Sequence, residues 1–148
     1  VSFDTDMVGP YGYCADISRA FVCGNKFNEY QKKIYLTAVE QIDYNSRLIK
    51  DGVSFREFTE KAWILPEKYY GNRYSVMLHG IGLCDEWPAI RYPTDGGERS
   101  GTFQKNMTIT LESYIGEVGG NEGVKLEQQY LVGENGLELM SHHPLEQI

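Results

Sequence analysis

With 148 residues, 41% of them apolar and 13% aromatic, the chain has the composition of a folded globular protein and not of a disordered segment. Fourteen Lys and Arg against 21 Asp and Glu leave a formal net charge of −7, so the clustered basic surface that nucleic acid or an anionic membrane requires is missing and neither is expected as a partner. No apolar run reaches the roughly 18 residues of a membrane span, and VSFDTDMVGP lacks the basic and apolar regions of a signal peptide. Cys14, Cys23 and Cys84 are odd in number and have neither zinc-ribbon nor disulfide-framework spacing, which favours a reducing compartment and makes cytoplasm the expectation. The chain has no initiator Met and opens on an alternating run, as if cut inside a sheet. A piece of a longer protein is therefore expected.

Val1, Phe3, Thr5 and Met7 alternate with Ser2, Asp4 and Asp6, the period of a two-faced strand, which puts Asp4 and Asp6 on one face. GPYG at 9–12 supplies a turn, and YCADISRAFVCG reads as a second strand carrying Asp16 beside that pair. A long helix is expected over roughly 27–49, where Phe27, Tyr30, Ile34, Ala38, Val39 and Ile42 recur at helical spacing before the Asp51-Gly52 turn. Ser54 and Glu57 form a capping-box pattern opening a second helix through Phe55, Phe58, Ala62 and Leu65, ended by Pro66. Both helices read as packing elements.

From Tyr69 to Thr102 the sequence reads as loops and short strands, including HGIGLCDEWP at 79–88, where His79 falls in a glycine-rich turn ahead of Asp85 and Glu86. FQKNMTITLESYIGE (103–117) and GVKLEQQYLVGENGLELMS (123–141) alternate again, with GGNEG between them, and carry Glu112 and Glu127. Asp4, Asp6, Asp16, His79, Glu112 and Glu127 thus lie on two strand pairs and one turn. If five carboxylates converged without a cation, repulsion would force several to protonate, each pKa unit costing about 1.4 kcal/mol. A pair of divalent ions removes that penalty.

The order Asp, Asp, His in an H-G-x-G turn, Glu, Glu resembles the pita-bread metalloenzymes, the superfamily of methionine aminopeptidase, prolidase and creatinase. YCADISRAF, HGIGL, NMTITLESYIG and GVKLEQQYLV match its metal-bearing strands in order, from Val1 to about Gly136. Two departures stand out. The peptidases' first metal aspartate lies eleven positions before the second, which is Thr5 in this sequence, and aspartates flank it at 4 and 6. Where the peptidases carry an H-E-x-P histidine, this sequence has DEWP, with Asp85 in place of the imidazole. Both departures resemble dimethylsulfoniopropionate (DMSP) lyases of the DddP type.

That resemblance implies an α+β fold, with residues 1–148 forming the C-terminal portion of a pita-bread catalytic domain: a curved antiparallel sheet with covering helices. It implies a homodimeric enzyme with a dinuclear centre containing iron, ligated by Asp4, Asp6, Asp16, His79, Glu112 and Glu127, with Asp85 as catalytic base and Tyr74 near the substrate. The reaction implied is β-elimination of dimethyl sulfide from DMSP to leave acrylate. The oxygen-rich donor set with one imidazole also suits Mn, Co or Zn. Tyr74, Trp87 and Tyr92 lie near the motif and could face the sulfonium, each contact worth about 0.5 to 2 kcal/mol.

Read singly, each residue has an ordinary explanation. Asp4 and Asp16 could be surface aspartates, His79 a loop histidine, Glu112 and Glu127 solvent-facing strand residues, and Asp85 a loop acid bonded to a backbone amide, with Glu86 its rival as base. Ser18 and Arg19 follow Asp16, where the arginine is expected to organise structure. Cys84 among carboxylates is expected to be structural, and His142 and His143 to lie on the surface. The alternatives are a metal-dependent aminopeptidase or Xaa-Pro dipeptidase on the same fold, or a binding module without catalysis. Alone, half of such a sheet would expose strand edges and is expected to fold poorly.

Overall fold

The computed structural model describes residues 1–24, 26–96 and 100–145. The N-terminal alternating run forms two short strands instead of one, β1 (Ser2–Asp4) and β2 (Met7–Val8). The break falls at Asp6, whose φ of 35° is outside the extended region. Asp4 and Asp6 therefore do not project from one face of a continuous strand. The expected hairpin is present: β2 pairs with β3 (Cys14–Ala15) and β1 with β4 (Ser18–Ala20), both antiparallel. The Gly9 amide donates to the Tyr13 carbonyl at 2.7 Å to close the GPYG turn.

Helix α1 (Glu29–Ser46) is shorter than the expected 27–49, because Asn28 caps it. The Asn28 side chain accepts from the Gln31 amide while the Gln31 side chain accepts from the Asn28 amide, a complete capping box that leaves Phe27 outside. Helix α2 (Phe55–Lys61) begins at the expected cap, with Ser54 accepting from the Glu57 amide. The Glu57 carboxylate pairs instead with Lys61 at 2.7 Å, and the helix ends at Ala62, well before Pro66. A one-turn helix, α3 (Glu67–Tyr70), follows Pro66 and was not expected.

Five strands form one antiparallel sheet: β5 (Val76–Gly80), β6 (Ala89–Arg91), β7 (Thr108–Gly116), β8 (Gly123–Val132) and β9 (Leu137–Leu139), in the order β6-β5-β7-β8-β9. The expected strand over 123–141 is thus two strands, folded back where the Gly133 amide donates to the Gly136 carbonyl. Side-chain alternation divides the sheet into two faces. One face carries Ile109, Leu111, Ile115, Leu126 and Val132 into the core with Ile34, Ala38 and Ile42 of α1. Ser113 on the same face donates to buried Gln41 of α1, which in turn donates to the Tyr92 hydroxyl. The other face carries Glu112 directly opposite Glu127, and His79 opposite Thr110.

His79 is therefore a buried strand residue, in place of the expected turn residue. Gly80 explains the local sequence: a Cβ there would lie 2.2 Å from the Trp87 carbonyl oxygen, because the returning chain crosses against it and the Gly80 amide donates to Pro88.

Phe103 is fully buried, edge-on to Phe55 and Phe58 with ring centroids 4.8 and 5.9 Å away. Truncation to alanine removes contacts that join α2 to the sheet layer. Phe103→Ala is expected to cost about 3–5 kcal/mol, read as a lower urea midpoint with an unchanged slope.

Candidate metal centre

Two strand pairs and β5 deliver their acids to one place. The β7–β8 register sets Glu112 against Glu127, and β5 brings the His79 imidazole to both, its Nε2 at 3.5 Å from Glu112 Oε1 and 3.3 Å from Glu127 Oε1. The hairpin adds Asp16, whose Oδ2 lies 4.0 Å from the same nitrogen. Asp16, His79 and Glu127 form one buried group of converging donors, and Asp4, Asp6 and Asp16 form a second, more exposed one. Asp16 belongs to both. The structure thus brings together Asp4, Asp6, Asp16, His79, Glu112 and Glu127.

The break in the hairpin makes this convergence possible. Thr5 turns inward, donating to Asp16 Oδ1 at 3.3 Å and accepting from the Ile17 amide at 3.0 Å, while the Asp6 amide also donates to Asp16 Oδ1. Ser18 donates its hydroxyl at 2.6 Å to Asp4 and lies 3.0 Å from Glu127. His79 Nδ1 faces the Gly80 carbonyl at 3.0 Å, a bond that holds the proton on Nδ1 when the ring is neutral and leaves the Nε2 lone pair toward the acids.

Charge is poorly balanced in this space. Burial, reinforced by the charge of Glu127, pushes Asp16 up to about 7. Burial likewise raises Glu112, opposed by its bond to His79. For His79 burial favours the neutral ring, but bonds to Glu112, Glu127 and the Gly80 carbonyl outweigh it and hold the group up at about 11. Burial also acts on Asp4, and there the bonds from Lys125 and Ser18 prevail and lower it. Glu127 Oε1 is buried without a hydrogen-bond donor, and Glu112 Oε2 has an ion contact with Lys125 at 3.2 Å but no hydrogen bond. Buried carboxylate oxygens short of hydrogen bonds, beside an imidazole whose Nε2 is free to ligate once its proton is displaced, are a donor set that fits divalent cations.

Lys125 was missed by the sequence reading. Its ammonium lies 2.6 Å from Asp4, 3.2 Å from Glu112 and 3.4 Å from Glu127. The signal was available, since Lys125 stands two residues before Glu127 and so shares its face of β8. Arg19 is buried, as a structural residue should be, donating to the Ser18 and Glu127 carbonyls and to Gln128.

The remaining candidates lie outside the cluster. Asp85 is exposed in the loop after β5, accepting from the Glu86 amide at 3.0 Å, and belongs to neither donor group among the described residues. Tyr74 is half-buried, its ring 5.2 Å from the Lys125 ammonium, and its phenol is raised by burial and by the charges of Glu112 and Glu86. Trp87 is exposed, but Tyr92 is buried with its hydroxyl bonded to Gln41, so it has no face to offer a ligand. Cys84 is exposed, as are His142 and His143.

The family description of metallopeptidase family M24 matches residues 1–134, and the chain belongs to this family. Among its relatives are dimethylsulfoniopropionate lyases DddP. The one from Roseovarius nubinhibens is 36% identical over 99% of this chain and 33% of its own length; that from Roseobacter denitrificans is 37% identical with the same coverage. The prolidase from Pyrococcus horikoshii OT3 superposes with a TM-score of 0.78 at 27% identity, over 98% of this chain and 41% of that one. The α+β fold is that of the pita-bread enzymes. The chain spans about a third of the length of the lyases it matches. Among the described residues no helix is long and apolar enough to cross a membrane.

Raised pKa values have a direct consequence for metal uptake. At pH 6 both Asp16, at about 7, and His79, at about 11, hold protons that ligation must displace. Binding of Mn²⁺ at pH 6 is expected to release about two protons, falling toward one at pH 8 as Asp16 ionises beforehand. Calorimetry in two buffers of different ionisation heat reads this directly. Heats independent of buffer would remove Asp16 and His79 from the ligand set.

Proposed function

We propose that the chain is the C-terminal, metal-bearing portion of a longer cytoplasmic, homodimeric enzyme that cleaves DMSP to dimethyl sulfide and acrylate. The observation that carries the reading is the inward Thr5 with Asp4 and Asp6 both gathered at Asp16, the arrangement by which the sequence departs from the peptidases and resembles the lyases. Identity to two DMSP lyases along nearly the whole chain supports it. The length of those relatives, and the exposed Phe3, Met7 and Val8 of the hairpin, support a further portion of protein packed against this one.

Divalent ions held by Asp4, Asp6, Asp16, His79, Glu112 and Glu127, iron in this reading with Mn, Co or Zn as alternatives, would supply Lewis acidity toward the substrate carboxylate. The chain's own work is a proton transfer. Asp85 takes the proton from the carbon next to that carboxylate, the C–H electron pair becomes the new C=C bond, and the C–S bond breaks to release neutral dimethyl sulfide. General-base catalysis of this kind is worth about 10²- to 10⁴-fold. An exposed loop suits a base that must reach a substrate outside the buried carboxylates. Tyr74 lines the approach beside Glu112 and Lys125, where its ring borders the bound substrate.

A second reading, a metal-dependent aminopeptidase or Xaa-Pro dipeptidase, draws on the likeness to prolidase. Against it stands Asp85 at the position of the peptidases' substrate-contacting histidine.

Incubation of the complete, metal-loaded protein with DMSP is expected to yield dimethyl sulfide and acrylate in equal amounts. Asp85→Asn is expected to reduce turnover at least about 100-fold with metal content unchanged, and Glu86→Gln to retain most of it. Hydrolysis of proline-containing dipeptides with no acrylate formed would replace this reading with the peptidase one.

A further inference from the structure

Tyr74 borders the substrate in the mechanism above, and both of its neighbours in sequence are pinned. Arg73 Nε donates to Asp95 Oδ2 at 3.1 Å while its Nη2 donates to Asp95 Oδ1, a two-pronged ion pair. Nη2 also reaches the Thr94 hydroxyl at 3.2 Å, and Nη1 donates to the Tyr70 carbonyl. The guanidinium carbon lies 3.8 Å from the ring centroid of Tyr70 and 5.4 Å from that of Tyr92, and these two rings meet edge-on at 6.0 Å. On the other side of Tyr74, the Ser75 carbonyl accepts from the Tyr92 amide at 3.2 Å and the Ser75 hydroxyl accepts from Arg91. Residues 73 and 75 are thus both held to the end of β6 and the turn after it. Tyr74, between them, instead places its ring 5.2 Å from the Lys125 ammonium, beside the acids.

The anchor reaches the core. The Tyr92 hydroxyl accepts from Gln41 at 2.7 Å, and Gln41 accepts at 2.7 Å from Ser113, the residue that follows Glu112 on β7. Arg73 therefore rests on a ring already fastened to α1 and to the strand that carries a candidate ligand. The Arg73 and Asp95 side chains are only 14% and 21% exposed, so two aligned bonds between them fix the loop more firmly than an ion pair in open water. We infer that Arg73 is a positioning residue: clamped by Asp95 and stacked against Tyr70 and Tyr92, it holds the Tyr74 ring where the sulfonium end of the substrate is received. A ring already within reach of one cation, Lys125, is suited to a second. Lysine cannot replace Arg73, because a single ammonium neither spans both carboxylate oxygens nor stacks on a ring as a planar guanidinium does. This inference rests on the proposed lyase reading for the nature of the substrate.

The test uses the complete, metal-loaded protein and splits binding from chemistry. Arg73→Lys is expected to raise KM for DMSP about five- to tenfold, with kcat within about threefold of the original and metal content unchanged. Tyr74→Ala is expected to raise KM as well, and Arg73→Lys added to it to give no further rise, since both act through one ring. Calorimetry with the trimethylammonium analogue of DMSP, whose nitrogen is a poor leaving group, reads the same pattern without turnover. Asp95→Asn weakens the fork but leaves the guanidinium against its rings, and is expected to give a smaller rise of the same kind. It takes the place of Arg73→Lys if that variant is poorly folded. An unchanged KM, a fall in kcat without a rise in KM, or a rise that persists in full in the Tyr74→Ala background would overturn the inference. Analogue binding that weakens as expected in the variants, in a protein that forms no dimethyl sulfide, would sink the lyase reading and leave the role of Arg73 standing.

Discussion

The register of β7 against β8 is the constraint on which the rest depends. It sets Glu112 against Glu127 on the face away from α1, with the oxygens of both almost wholly removed from water. A slip of one residue by either strand would send its acid into the layer that Leu111 and Leu126 now occupy and turn its leucine outward. Two carboxyl groups facing each other in a buried sheet are a standing cost, and neighbouring elements supply partial compensation. His79 on β5, Ser18 on β4 and Lys125 on β8 each present a donor to Glu112 or Glu127.

The compensation is local and incomplete, as expected of a site and not of a structural ion-pair network. Arg19 illustrates the contrast. Its guanidinium is as buried as the acids, but it is spent on carbonyls: those of Ser18 and Glu127, and those of His143 and Pro144 in the C-terminal tail. It therefore fastens the backbone under Glu127 and ties the tail to β8 without neutralising the carboxylate directly. The group facing Glu127 Oε1 is the His79 imidazole, its Nε2 3.3 Å away, and the arginine is not directed at that oxygen. Backbone rigidity with unsatisfied carboxylate oxygens is the combination that favours a cation arriving from outside.

Much of this was legible because period-two alternation survives in β7 and β8, where each acid directly follows a leucine of the opposite face. The helices were legible in position but less so in length. Their ends are decided by caps, and at α2 the Glu57 carboxylate had two suitors, the Ser54 amide and Lys61, between which spacing alone does not choose. His79 was misplaced for a related reason. Glycines at 80 and 82 read as a turn, whereas Gly80 is needed for the close approach of Trp87 to a strand. Lys125 was passed over because a lysine two residues before a glutamate is unremarkable on an exposed strand; it matters only once that face is known to be closed by the hairpin.

The hairpin shows how a break in regular structure can serve a site. An unbroken strand through residues 1–8 would alternate Asp4, Thr5 and Asp6 across its two faces, so that Thr5 and the aspartates could not all turn toward Asp16. The left-handed backbone at Asp6, a conformation aspartate tolerates better than most residues, cancels that alternation. Thr5 is then free to brace the Asp16 carboxylate from one side while aspartates approach from both sides of it. A hydroxyl at this position orients Asp16 without adding a further negative charge. The acids at 4 and 6 stand farther out, one tied to Lys125, the other exposed. Charge is thereby moved from the buried end of the site to its mouth, where water can share the cost of carrying it.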